Sequence, residues 1–542
     1  KLTTRRISMF IIRQFSHTDL EDIISLWELC GLTRPWNNPE IDAFRKLQQK
    51  DGLFLVAEKD QRLIASIMGG YDGHRGWIHY LAVHPHYQRL GVATALMQQM
   101  ENRLTALGCP KVQLLVRQEN LAVSQFYDQL GYEEVETNAR GRVLRVLKRT
   151  DPIPGKDIVL SLDIKLQEAA EEALAGRRGA VVALNPMTGE VLAMVSQPSF
   201  DPNLFVTGIS FKAYAELRDS IDRPLFNRIL RGLYPPGSTI KPAVAIAGLD
   251  SGVITGSSRV YDPGYYQLPN YDHKYRNWNR SGDGYVDLDT AIMRSNDTYF
   301  YDLAHKLGID RLSSYMNQFG IGRKVSLDMF EESAGLMPSR EWKRATRRQA
   351  WFPGETLILG IGQGYMQSTP LQLAQATALI ASKGKWIRPH LAKTIEGVPP
   401  VDPDPVPDIV LRDPSNWAKV NHGMQQVVHG ARGTARVAGV GAQYLIAGKS
   451  GTAQVVAIKQ GEKYDRSKVQ ERHRDHALFV GFAPANNPQI TVSVMIENGE
   501  AGSRVASPVV RKVMDAWLLG EDGKLKPEYG GPVKAEVPAN DE

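Results

Sequence analysis

Tyr234-Pro235-Pro236-Gly237-Ser238-Thr239-Ile240-Lys241-Pro242 is the stretch on which the reading of this chain turns. Two prolines and a glycine make a rigid, non-helical approach to Ser238, and a helix holding Lys241, Ala245 and Leu249 follows. Residues three apart share a helical face, so the Ser238 hydroxyl and the Lys241 amine can meet. A serine hydroxyl is a weak nucleophile until a base removes its proton. Lysine serves as that base only when burial or a nearby cation lowers its pKa. Two further motifs follow in order, Ser295-Asn296-Asp297 and Lys449-Ser450-Gly451-Thr452. They add a polar relay and a cationic strand able to hold a carboxylate, and Lys449 is a candidate for the second cation. Ser-x-x-Lys alone is common, and Ser382-Lys383-Gly384-Lys385 at a helix end reads as chance.

The surroundings suit one large domain over residues 157–520. Gly179–Leu184 and Glu190–Ser196 read as strands joined by the turn Asn185-Pro186-Met187-Thr188-Gly189. Ala447–Val455, Ala477–Ala483 and Ile490–Glu497 read as further strands, and Thr369-Pro370 opens a helix over Leu371–Ser382. The pattern predicts a mostly antiparallel sheet between helices, with a helical subdomain inserted. Gly360-Ile361-Gly362-Gln363-Gly364 lacks the strand-to-helix unit of a nucleotide loop and reads as a turn beside the active site.

With those motifs in place, residues 157–520 resemble the transpeptidase domain of class B penicillin-binding proteins, in particular the elongation subgroup of Gram-negative rods. Tyr261-Asp262-Pro263-Gly264-Tyr265-Tyr266-Gln267-Leu268-Pro269 and Lys449-Ser450-Gly451-Thr452-Ala453-Gln454 carry the likeness as well. The resemblance implies a peptidoglycan D,D-transpeptidase. Ser238 is acylated by a D-Ala-D-Ala stem peptide or a β-lactam, and Lys241 is the base. Ser295 and Asp297 relay a proton to the leaving group, while Lys449, Ser450, Gly451 and Thr452 bind the substrate carboxylate. The backbone N–H groups of Ser238 and Thr452 form the oxyanion hole. The wider family ends its second motif in asparagine, so Asp297 makes a pH-dependent relay an expectation. Some relatives place His and Cys near this motif as zinc ligands. Here the corresponding stretch offers Asp262, Asp272, His273 and Asp283, a weak zinc set, and no metal is expected. A β-lactam hydrolase or a non-catalytic β-lactam-binding protein are the alternatives for the same motifs.

The N-terminal part tells a different story. Residues 53–59, 63–68 and 77–83 read as strands, the last running into Gln88-Arg89-Leu90-Gly91-Val92-Ala93 and a helix with Ala93, Met97, Met100 and Leu104 on one face. A strand, a glycine turn and a helix N-terminus form an anion-binding arrangement. Val112–Val116 is a further strand, and a helix opened by Asn120 carries Phe126, Tyr127 and Leu130. Residues 9–135 thereby resemble the GNAT acetyltransferases, a mixed sheet with helices. The resemblance implies acetyl-coenzyme A as cofactor, bound through Gln88, Arg89, Gly91, Ala93 and Asn120, with Tyr127 protonating the departing thiolate. Tyr127 is equally read as a core aromatic. Arg34-Pro35-Trp36-Asn37 and Gly70-Tyr71-Asp72-Gly73-His74 look like a bacterial subgroup, and Glu58 and His79 read as structural. Acetyl transfer as the main activity is the remaining alternative.

The fold class is thus multidomain, α/β and α+β: 9–135 the acetyltransferase-like domain, 136–156 a junction or pedestal remnant, 157–520 the transpeptidase domain, and 521–542 a disordered tail. A net charge of +6 spread over 542 residues argues against nucleic acid. The densest basic run, Arg340, Lys343, Arg344, Arg347 and Arg348, reads as a solvated helix face or a surface for anionic lipid or cell-wall polymer. Two cysteines, Cys30 and Cys109, exclude a disulfide framework. No run of about 18 apolar residues spans a membrane, and no signal segment is evident. The two halves imply different places: inner membrane and periplasm for the transpeptidase, with an elongation-machinery glycosyltransferase as partner, and cytoplasm for the acetyltransferase. A fusion is the expectation that reconciles them.

Overall fold

The computed structural model describes residues 10–33, 38–116, 121–137, 143–149, 155–206, 208–398, 404–455 and 469–530. The chain divides into two compact units, Lys1–Gly155 and Lys156–Glu542.

In the first unit the strands Ile11–Gln14, Phe54–Lys59, Arg62–Tyr71 and Gly76–Val83 pair antiparallel in chain order, and Val112–Gln113 adds in parallel. The strand expected over 112–116 is shorter than the sequence pattern suggested. It pairs only at Gly76 and Trp77, and Leu115 beyond is 89% exposed, so apolar residues there lack a ladder to join. The helix Val92–Ala106 covers one face. Its buried stripe is Val92, Leu96, Met97, Met100 and Leu104, with the expected Ala93 only half-buried. Gly69 sits beneath this helix, where a Cβ would collide with the Met100 sulfur. The junction expected over 136–156 carries a two-stranded ribbon, Glu133–Thr137 with Val143–Arg149.

The second unit is built on a five-stranded, wholly antiparallel sheet. Its order is Val191–Gln197, Gly179–Leu184, Ile490–Ile496, His476–Ala483 and Ala447–Ala453. The central strands Gly179–Leu184 and Ile490–Ile496 are buried at every position, because helices cover both faces. Ile164–Leu174 and Ser507–Leu518 pack against the sheet together, and Pro370–Ala381, capped by Thr369 and Gln372, is buried throughout. Ala447–Ala453 is the edge strand, so its outer backbone faces the site. Residues 521–530 correct the expected tail. Lys526 N–H donates to Leu518 O and Lys526 Nζ to Trp517 O, and Leu525 and Tyr529 pack on the core.

The helix Lys241–Asp250 has no exposed face, and it packs against the long helix Asp297–Gln318. Gly248 is the close-approach point, where a Cβ would sit 2.6 Å from Leu303 Cδ1. Gly248→Ala is expected to destabilise the unit by about 1–3 kcal/mol through overpacking. In a Leu303→Ala background, itself costing about 3 kcal/mol, the same change recovers part of the loss. A denaturant-melt double-mutant cycle reads the coupling.

Candidate active site

Tyr234 anchors the approach to the nucleophile. Its backbone exchanges hydrogen bonds with Ser368 at 3.0 and 2.9 Å, and its hydroxyl donates to Glu497 Oε1 at 2.9 Å. Gly237 then turns the chain at φ 54°, and its N–H donates to Gly362 O at 2.8 Å. A Cβ at Gly237 would lie 2.5 Å from Thr452 O, so glycine here lets the nucleophile turn touch the edge strand. Ser238 lies in a 3₁₀ turn, Gly237–Ile240, and the α-helix begins only at Lys241. The α-helix expected at Ser238 is thus a tighter 3₁₀ turn there.

Lys241 has no exposed surface, and its ammonium donates to Ser295 O at 2.9 Å, Ser295 Oγ at 3.3 Å and Asp297 Oδ1 at 2.7 Å. Phe300 lies under it, 5.2 Å from Nζ to the ring centre. Ser295 makes this possible by closing the helix Leu288–Arg294 in the left-handed region at φ 56°. The next helix restarts at once, with Asn296 Oδ1 accepting from Tyr299 N–H at 2.9 Å. That one-residue reversal aims the Ser295 carbonyl, its hydroxyl and the Asp297 carboxylate at a single point. Burial lowers the Lys241 pKa, and the Asp297 carboxylate pulls it back up.

Lys449 is equally buried, and its ammonium donates to its neighbour's carbonyl, Ser450 O, at 2.9 Å. Burial draws its pKa well down, and the Lys241 charge draws it further. Repulsion between the two buried ammonium groups is mutual, so each disfavours charge on the other. Ser450 Oγ lies 3.1 Å from Thr434 Oγ1, and Thr452 Oγ1 donates to Glu500 O at 3.2 Å. Gly451 passes so close to the nucleophile turn that a Cβ would lie 2.7 Å from Thr239 Cγ2. A cleft of about 670 Å³ opens over these residues, lined by Ser238, Ser295, Asp297, Ser450, Gly451 and Thr452 along with Trp278, Arg294, Gln363, Arg432 and Arg504. The two lysines lie buried behind its wall. Hydroxyls, a carboxylate and an edge strand thus line one basic-rimmed cleft with two buried lysines behind it, an arrangement suited to serine acyl transfer.

Sequence reasoning missed the residues that hold this arrangement. Trp278 N–H donates to Asp297 Oδ2 at 3.1 Å, and Asp297 N–H donates to Asn277 Oδ1 at 3.1 Å. Behind them Asp262, 1% exposed, accepts five hydrogen bonds. Oδ1 takes Gly264 N–H at 2.7 Å and Thr298 Oγ1 at 2.6 Å. Oδ2 takes Asn277 Nδ2 at 2.6 Å, Asn296 Nδ2 at 2.6 Å and Asp283 N–H at 3.0 Å. Burial alone would raise the Asp283 carboxyl, but hydrogen bonds from Asn296, Arg294 and Asn279 hold it below the ordinary range. Asp262 and Asp283 are thus spoken for by amide and guanidinium donors. Among the described residues no cluster of His, Cys, Asp and Glu is placed to hold a metal ion.

In the first unit Gly91, at φ 79°, caps the helix Val92–Ala106, and a Cβ there would meet nothing within 4 Å. Arg89 is also left-handed, at φ 60°, and Gln88 Nε2 donates to Val83 O at 3.1 Å. This open turn at a helix N-terminus fits a pyrophosphate. Tyr127 lies in the core, its phenol pushed up to about 12 by burial, so it stays protonated as a thiolate's proton donor must. Glu58 pairs with Arg13 at 2.8 Å, and burial lowers His79. Asn120 and the stretch 34–37 lie outside the described residues.

Comparison with known proteins agrees with this geometry. The penicillin binding protein transpeptidase domain model matches residues 179–515, and the GNAT acetyltransferase family model matches residues 20–132. The chain is 47% identical over 407 residues to the peptidoglycan D,D-transpeptidase MrdA of Acinetobacter baumannii, covering 74% of this chain and 60% of that protein. It is 54% identical over 122 residues to an acetyltransferase of Sodalis glossinidius, 22% of this chain and 86% of that one. Among solved structures, Pseudomonas aeruginosa PBP2 in complex with WCK 5153 is 77% identical with a TM-score of 0.67, covering 71% of this chain and 81% of that one. Helicobacter pylori PBP2 in complex with MreC is 26% identical with a TM-score of 0.63, covering 94% of both chains. The chain belongs to the penicillin-binding protein transpeptidase family, and its first unit to the GNAT acetyltransferase family. It spans about 60% of the length of the first curated transpeptidases it matches.

Asp262→Asn presents a donor to groups that are themselves donors. It is expected to cost about 3 kcal/mol of stability and to slow acylation of Ser238 by a penicillin at least tenfold. Denaturant unfolding and single-turnover acylation check the two effects.

Proposed function

We propose that the second unit is a peptidoglycan D,D-transpeptidase acting through Ser238. The observation that carries this reading is the convergence of Ser238, the Lys241–Ser295–Asp297 cluster and the Lys449-Ser450-Gly451-Thr452 strand on one cleft.

The substrate is a stem peptide ending in D-Ala-D-Ala. Its terminal carboxylate lies against Ser450 and Thr452, with Lys449 behind. An incoming carboxylate favours the charged form of Lys449 and so opposes the depression that burial imposes there. A proton drawn toward Lys449 leaves Lys241 free to act as base. Ser238 Oγ attacks the carbonyl of the penultimate D-Ala while its proton passes to Lys241 Nζ, and the backbone N–H groups of Ser238 and Thr452 take up the developing oxyanion. The C–N bond breaks as Ser295 Oγ, hydrogen-bonded to Lys241, relays a proton to the departing D-Ala nitrogen. An amine of a second stem peptide then attacks the ester and loses its proton to Lys241, which returns it to the departing Ser238 Oγ as the ester bond breaks, leaving a new peptide cross-link and free Ser238. A β-lactam enters the same way, its opened ring staying tethered so that no leaving group departs.

The parent enzyme would face the periplasm from the inner membrane, with a glycosyltransferase of the elongation machinery as partner. Among the described residues no helix is long and apolar enough to cross a membrane. The first unit would bind acetyl-coenzyme A on the Gln88–Ala93 turn, with Asn120 and Tyr127 in the family's roles. When bound, that cofactor supplies the acetyl group as a thioester.

Intact mass after mixing with a penicillin is expected to show one adduct per chain that persists for hours and is absent in Ser238→Ala. Rapid drug turnover would point instead to a hydrolase. No adduct would contradict an assembled site.

A further inference from the structure

The basic helix Arg340–Arg347 has no part in the chemistry above, yet it reaches the cleft's own loop. Lys343 roots it: 1% exposed, its ammonium donates to Glu355 Oε1 and Oε2 at 2.5 and 2.7 Å and lies 4.4 Å from the Phe352 ring centre. Arg340 is tied to Asp310 at 3.1 Å. Arg344, Arg347 and Arg348 are exposed, and none makes an ion pair among the described residues. The Trp342 and Tyr365 rings meet at 5.2 Å, and the Arg347 guanidinium lies 5.8 Å from the Tyr365 ring centre. Tyr365 follows by two residues Gln363, which lines the cleft and donates to Thr452 O at 2.9 Å. An aromatic and cationic strip therefore continues from the carboxylate cradle onto an outer helix.

We propose that this strip is an exosite for polymeric peptidoglycan, holding a glycan strand while one of its stem peptides occupies the cleft. The inference rests on the transpeptidase reading. Aromatic faces suit the C–H faces of sugar rings, and unpaired guanidinium groups suit the carboxylates that stem peptides carry. The excess of positive charge along the helix, five basic residues over 340–348 against Glu341, also steers a polyanion toward the cleft. Continuity with the cleft favours a substrate polymer over a lipid surface, because a bilayer lying on the strip would stand across the mouth that the substrate must enter.

The test is co-sedimentation of the full chain with purified insoluble peptidoglycan sacculi at low ionic strength, with penicillin acylation measured in parallel. Arg344→Glu/Arg347→Glu/Arg348→Glu is expected to bind sacculi about tenfold more weakly, with binding in the parent falling as salt rises. Trp342→Ala is expected to weaken binding without altering charge. Acylation at the unvaried rate reports that the cleft of each variant is intact. The inference is overturned if the parent does not sediment with sacculi, or if the triple variant sediments like the parent. It is likewise overturned if the substitutions remove binding to phosphatidylglycerol vesicles and spare that to sacculi. Failure of the parent to acylate would instead sink the transpeptidase reading.

Discussion

Everything at this site depends on holding the Lys241 ammonium out of water without leaving it unpaired. A buried cation is costly unless each of its donors finds a partner. Here the three donors find Ser295 O, Ser295 Oγ and Asp297 Oδ1. Those acceptors converge only because Ser295 takes a left-handed conformation, which costs a non-glycine residue about 1 kcal/mol or more. The reversal is held from both sides. Asn296 caps the helix that follows, and Asp262 gathers Asn277, Asn296 and Thr298 around one carboxylate. Asn277 in turn accepts from the Asp297 backbone, so the buried carboxylate of Asp262 positions that of Asp297 at second hand.

This arrangement places two buried lysines near the Asp297 carboxylate. Asp297 holds charge on Lys241 in the resting site, whereas Lys449 has a single backbone acceptor among the described residues and is pulled lower. A ligand carboxylate reverses that balance by stabilising charge at Lys449. On the proposed mechanism the group that orients the substrate also favours release of the base, which would link binding to chemistry through one proton.

The parts of the site legible in the sequence are those whose chemistry forces residue type and spacing together. Ser238 and Lys241 stand one helical turn apart, and Lys449-Ser450-Gly451-Thr452 lies in a strand pattern. The five-stranded sheet was equally readable from its apolar runs. What stayed hidden acts across long separations with no local period to betray it. Asp262 reaches Thr298 over 36 residues, and Gln363 reaches Thr452 over 89. Asp262 stood within a quoted motif, but nothing in the residues around it said that its carboxylate would be buried. The 3₁₀ turn at Ser238, the short Val112–Gln113 strand and the fold-back of residues 521–530 were likewise decided by tertiary contacts over local preference.

On the proposed mechanism Lys241 must lose its proton for Ser238 to react, and Asp297 opposes that loss. Burial places its pKa below that of free lysine, so acylation should rise with pH through a limb lying below the ordinary lysine range. The pH dependence of the second-order rate of acylation by a penicillin, compared between the parent chain and Asp297→Asn, tests this directly. Removing the carboxylate withdraws the influence that raises Lys241, so the acidic limb should move to lower pH, even as the plateau falls with loss of the relay. A limb that stays in place, or moves to higher pH, would contradict the account.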